Sequence, residues 1–191
     1  PKKKTATKRY RLVTVKKKFP DAIHIAVQER QGIAMWCQDQ TVQVTLEGAT
    51  EGKVTSGREC LALDKHGVVF EKREPERELI ISAQSTRVSL GDTAVDADLL
   101  ESLLQFQRGI DELSLFQEVG LRVSSLLIIS EKRVNAKISE GWELYFDPND
   151  TIDWQITKAK IVLEQEIPFQ KRPFLEYIDL RFADQAYIKY R

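Results

Sequence analysis

The chain is 191 residues long, 42% hydrophobic and 30% charged, with 29 basic and 29 acidic residues and no formal net charge. That balance excludes a low-complexity or collagen-like chain, and no apolar run of the sequence approaches the roughly 18 residues of a membrane-spanning helix. The length suits one large domain or two small ones.

The charge is unevenly placed. Lys2, Lys3, Lys4, Lys8, Arg9, Arg11, Lys16, Lys17 and Lys18 precede residue 19 with no acid among them, and the remainder is acidic by nine. Such asymmetry suits an anionic partner, either nucleic acid or a membrane surface. Residues 10–15 already alternate as a strand, so the basic residues flank a folded element. A solvated strand face near a membrane fits that better than nucleic acid. The chain begins at Pro1 rather than methionine, which leaves room for an anchor or targeting segment upstream.

In chain order, residues 12–35 read as two antiparallel strands joined by a turn at Phe19-Pro20-Asp21. Residues 33–37 read as a third, buried strand. Residues 38–59 hold Gly48, Gly52 and Gly57 among small polar residues, the composition of a β-excursion through residues 41–46 and then a mobile loop. Residues 60–63 and 68–70 form a hairpin about Asp64-Lys65-His66-Gly67. Cys37 and Cys60 lie at the ends of two strands. A reducing compartment leaves them as small core residues, and an oxidising one lets them pair if the strands are neighbours.

The charged stretch 71–78, with Pro75, is the candidate domain boundary, and residues 79–82 restart as a strand. Asp98 with Glu101 reads as a capping box opening a helix whose stripe is Leu99, Leu100, Leu103, Leu104 and Phe106. Gly109 reads as its end, and residues 113–119 as a further short helix. Residues 121–129, 133–138 and 142–146 form a three-stranded meander. Thr151 reads as the cap of a second main helix, with Ile152, Ile156, Ala159 and Leu163 on its apolar side.

The chain closes on FLEYIDLRFADQAYIKYR. Tyr177, Asp179 and Arg181 alternate with Ile178, Leu180 and Phe182, and Tyr187, Lys189 and Arg191 with Ala186, Ile188 and Tyr190. Two period-two runs about a short break make a terminal β-hairpin. A last strand at a sheet edge can pair with another chain. Segregated helices and dominant strands give an α+β fold: a small β-rich piece, then a domain with an antiparallel or mixed sheet and two main helices.

Motifs for chemistry are missing. His24 and His66 have no fixed partner in sequence, and His24, Cys37, Cys60 and His66 include no close pair of the kind a zinc site uses. Asp147, Asp150 and Asp153 lack the central glycine of a calcium loop. There is no nucleophile elbow, phosphate-cradling loop or dinucleotide fingerprint. We therefore expect no catalytic residues, no metal, no cofactor and no small-molecule substrate, and weight falls on a binding or scaffolding module.

Several stretches resemble the FtsQ/DivIB family of bacterial cell-division proteins. Tyr177-Ile178-Asp179-Leu180-Arg181-Phe182, followed by Gln185-Ala186-Tyr187-Ile188-Lys189, is similar to the family's closing signature. Lys17-Lys18-Phe19-Pro20-Asp21-Ala22-Ile23-His24-Ile25 resembles its basic-aromatic-proline turn into a strand. Glu29-Arg30 with Ile33-Ala34-Met35-Trp36, and residues 63–70 as an aspartate-glycine-valine-phenylalanine hairpin, follow in the family's order.

The resemblance implies a partial POTRA-like domain at residues 1–72 and an FtsQ/DivIB-type β domain at residues 73–191. The first POTRA strand, part of its helical half and the single-pass membrane helix have no counterpart in this sequence. It also implies a non-enzymatic, extracytoplasmic scaffold of the division complex. Partners of the FtsB/DivIC and FtsL type would add a strand at the C-terminal edge. The candidate partner-binding residues are Phe182, Ala186, Tyr187, Ile188, Lys189 and Tyr190, with the adjoining helix. The alternative expectation is an anionic-surface or nucleic-acid module that uses the basic N-terminal segment.

Overall fold

The computed structural model describes residues 9–44, 52–84 and 86–191. Strands β1 (Tyr10–Lys18) and β2 (Ala22–Glu29) form an antiparallel ribbon of their own, joined by the Phe19-Pro20 turn. Val13 faces Val27 and Val15 faces Ile25, and with Ile23 they make an apolar stripe that is exposed among the described residues. The ribbon is tied to the rest through Arg30, whose Nη1 donates to Asp64 Oδ2. Asp64 also accepts from the backbone N–H groups of His66 at 2.9 Å and Val68 at 3.0 Å. Burial pushes the Asp64 carboxyl up, but these donors and Arg30 outweigh it and hold its pKa below the usual carboxylate value.

The remaining strands are β3 (Gly32–Val44), β4 (Gly52–Asp64), β5 (Val69–Lys72), β6 (Ile80–Ala83), β7 (Val123–Ser130), β8 (Arg133–Ile138), β9 (Glu143–Phe146), β10 (Leu175–Phe182) and β11 (Gln185–Tyr190). They build one nine-stranded sheet in the order β11-β10-β9-β8-β7-β6-β3-β4-β5. It is mixed: β3–β6, β6–β7 and β9–β10 run parallel and the other pairs antiparallel. The charged stretch 71–78 connects β5 to β6 within this sheet, and β3 pairs directly with β6.

One expectation changes here and one open alternative is decided. Residues 41–44 are strand, within the expected excursion, but residues 52–59, read in the sequence as loop, are strand too and continue the β3–β4 hairpin; residues 45–51 lie outside the described residues. Cys37 and Cys60 stand directly opposite each other in this hairpin and are joined by a disulfide.

Three helices pack on one face of the sheet: α1 (Ala97–Asp111), α2 (Ser114–Val119) and α3 (Ile152–Ile161), the last continuing into a π-helical turn at Val162–Glu166. Leu100, Leu103, Phe106 and Ile110 recur at helical spacing and are buried. Phe106 stacks on Phe146 at 3.7 Å, and Phe116 meets Trp142 edge-on. Asp96, not Asp98, caps α1, because its side chain accepts from Leu99 N at 2.9 Å; Asp98 lies in the first turn. Gly109 does not end α1. Its missing side chain makes room for Ile156 of α3, whose Cδ1 would lie 2.3 Å from a Cβ there. Thr151 occupies the cap position of α3, but its side chain makes no capping bond.

Candidate docking edge

The sheet has two outer strands, and they differ. Along β5, Val69 N donates to Asp92 O at 3.0 Å and Gly91 N donates to Val69 O, while Val68 bridges Thr93. Residues 91–94 therefore run against the start of that border, at Val68 and Val69. The approach is close: at Gly67 (φ +72°) a Cβ would lie 1.7 Å from Val95 O. At the other border, β11 pairs with β10 and with no further strand among the described residues. Its second row of N–H and C=O groups meets no strand among them.

Strand β11 is held in register by its alternating side chains. Ile188 lies opposite the fully buried Ile178, and Ala186 and Ile188 pack against the main core. Tyr187 and Lys189 face the other way, opposite Asp179 and Tyr177. Tyr187 is 51% exposed, Phe182 46% and Tyr190 37%, so the edge carries three large aromatic surfaces open to contact. Phe182 and Tyr187 meet edge-on at 4.7 Å across the turn. Lys189 pairs with Glu176 at 3.0 Å. All six sequence-predicted residues thus lie on, or immediately before, the outer strand, and Ala186 and Ile188 point to the core rather than outward.

Helix α3 fixes where the hairpin turns. Lys158, buried, donates from Nζ to Leu180 O and Phe182 O at 2.5 Å each, and Trp154 Nε1 donates to Ala183 O at 2.7 Å. Burial lowers the Lys158 pKa, with Asp150, Asp184 and Asp179 partly offsetting it. These two residues went unnoticed in the sequence. Lysine and tryptophan at i and i+4 on a helix share a face, but nothing local shows what that face meets.

The sheet face away from the helices carries a second, polar arrangement next to the edge. Arg181 donates to Asp179 through Nε (2.8 Å) and Nη2 (2.6 Å), and this bond raises the arginine pKa. Tyr145 stacks on Tyr177 at 4.5 Å, with Arg133 4.1 Å above Tyr145. Asn135 donates to Glu143 and accepts from Arg133, both at 3.0 Å. These groups satisfy one another. They form a pre-ordered polar and aromatic surface rather than a reactive cluster, since no nucleophile stands beside a base in it.

His24 is exposed on β2 and His66 is exposed in the β4–β5 turn. Asp147, Asp150 and Asp153 accept from Asn149 N, Thr151 N and Gln105 Nε2 respectively. Among the described residues no helix is long and apolar enough to cross a membrane, and no group of three or more potential metal ligands is present.

Residues 54–181 match the family described as cell division protein FtsQ/DivIB, C-terminal. No curated protein matches the chain in a direct comparison.

Proposed function

Since this chain belongs to the FtsQ/DivIB family of cell division proteins, we propose that it is a non-enzymatic, extracytoplasmic scaffold that receives a division partner by strand addition on β11. The FtsB/DivIC- and FtsL-type proteins are the partners this reading names. One observation carries it: of the two sheet borders, β5 is met at its start by residues 91–94, while β11 pairs outward with no strand among the described residues. Main-chain bonds along β11 would supply affinity, and Tyr187, Lys189, Tyr190 and Phe182 specificity. The Cys37–Cys60 bridge supports a location outside the reducing cytoplasm. Residues 1–72, the ribbon of β1 and β2 included, are read as a partial POTRA-like domain and residues 73–191 as the β domain, with a single-pass membrane helix upstream.

The test uses adjacent proline substitutions. In an antiparallel pair, neighbouring residues donate alternately to the partner strand and outward. Of Tyr187→Pro and Ile188→Pro, the one that deletes an outward N–H should leave the fold intact and abolish capture of an FtsB/DivIC-type partner in a pull-down. If both prolines leave partner binding undiminished, strand addition at this edge is refuted.

A second reading has its own observation. Phe19 is 92% exposed at the tip of the ribbon, next to Lys16, Lys17 and Lys18, as an anionic membrane surface would require. It predicts binding to anionic vesicles that falls steeply with salt and is lost when the three lysines are neutralised.

A further inference from the structure

Six polar or charged residues are buried among the described residues: Asp64, Asn135, Gln155, Lys158, Arg172 and Asp179. Five are matched. Asp64 is met by Arg30 and two backbone donors, Asn135 by Glu143, Lys158 by two carbonyls and Asp179 by Arg181. Gln155 both accepts from Asp147 N and donates to Asp147 O. Arg172 is the exception. It is 3% exposed, and its Nε and Nη1 are buried with no hydrogen-bond partner. The Phe169 ring lies 5.3 Å from its Cζ, a contact that offers the charge a π-face but gives its N–H groups no acceptor. A guanidinium with two of its three nitrogens buried and without acceptors is a costly group for a fold to keep.

Its position matters. Arg172 belongs to the 3-10 segment Phe169–Phe174, which leads directly into β10. At the junction Leu175 pairs with Tyr190, and Arg191 N donates to Phe174 O at 2.8 Å. The segment therefore abuts the far end of the open strand. Phe169 and Phe174 are 63% and 62% exposed, large apolar surfaces beside a charge that lacks its counterpart.

We propose that Arg172 receives a carboxylate from the partner, at the Tyr190 end of the docking edge. An acidic side chain on or just beyond the added strand accepts from the guanidinium N–H groups, and Phe169, which covers the group in the free chain, swings aside to pack against that strand with Phe174. An arginine here suits planar carboxylate recognition in a way that lysine does not. This assignment rests on strand addition at β11 and adds to it the chemistry of one partner position.

The test measures thermal unfolding of the free chain and affinity for the soluble domain of an FtsB/DivIC-type partner, for wild type, Arg172→Met and Arg172→Lys. Arg172→Met removes an uncompensated buried charge, so the free chain should unfold at the same or a higher temperature. Partner affinity should fall about thirtyfold or more, the loss expected on truncating one member of a buried charge pair. Arg172→Lys should restore only a fraction of it. Neutralising the partner's acidic residues one at a time should find one whose loss is non-additive with Arg172→Met. Additivity at every partner carboxylate, or unchanged affinity in Arg172→Met, overturns the assignment whatever happens to stability. The Tyr187 and Ile188 prolines serve as the separate control. If they abolish binding while Arg172→Met does not, the edge reading stands and only the carboxylate site fails.

Discussion

The clamp from α3 to the β10–β11 turn is the most exposed point of the structural argument, and Lys158→Met tests it. The substitution keeps the length and apolar stem of the side chain and deletes the ammonium. Two charge-assisted bonds, to Leu180 O and Phe182 O, are lost. Bonds of this kind contribute about 1.5–3 kcal/mol each. Against that gain stands the cost of holding the ammonium out of water, the same burial that lowers its pKa. A net loss of roughly 2–4 kcal/mol follows if the bonds outweigh the burial. For a chain of this length that corresponds to a fall in Tm of about 4–16 °C. Urea unfolding measures the first quantity, and amide exchange locates it: protection should fall first along residues 180–190. Because the strand end is mispositioned, partner capture should weaken as well. Stability within about 0.5 kcal/mol of wild type, with unchanged exchange along β11, would show that α3 does not set the edge.

Other outcomes follow from the ribbon junction, the bridge and the β5 border. The Asp64 carboxyl is held below the usual carboxylate range in the folded chain, so its stabilising effect is complete above the unfolded value and lost as pH falls through the lower, folded one. Asp64→Asn should flatten that part of the acid limb below about pH 4 and loosen the ribbon, as limited proteolysis near residue 31 would report. Reducing Cys37–Cys60, which closes a loop across a sequence separation of 23, should lower stability by about 3 kcal/mol, read as a shift in the urea midpoint with and without reductant. Gly67→Ala places a Cβ against Val95 O at a positive φ, so residues 91–94 should detach from β5. Concentration-dependent association by light scattering, stronger than in the wild type, would report the newly uncovered border.

Much of this was legible in the sequence where a local pattern carried the information. The alternation in residues 175–190 defines a hairpin because period two puts Ile178, Leu180 and Ile188 on one side, and the structure buries or half-buries all three. The stripe of α1 was equally plain. Its start was misread because two aspartates compete two residues apart. Glu101 drew the assignment to Asp98, while the backbone places Asp96 where its carboxylate reaches Leu99 N. The early half of β4, residues 52–59, was hidden because glycine, serine and threonine read as loop until cross-strand pairing supplies a partner. Lys158 and Arg172 could not have been found from pattern alone. In composition they are ordinary surface cations, and only the packing of α3 and the 3-10 segment takes them out of water.

The strand order has a consequence for biogenesis. The border strand β11 follows the other eight strands of the sheet in chain order; it rests on β10, which rests on β9 and is pinned by α3. A ribosome delivers these pieces in sequence, so the outer row forms only once the residues from α3 to β11 have emerged and folded. The border strand thus depends on every element from α3 to the hairpin, whereas the pairings from β5 to β8 are made without it.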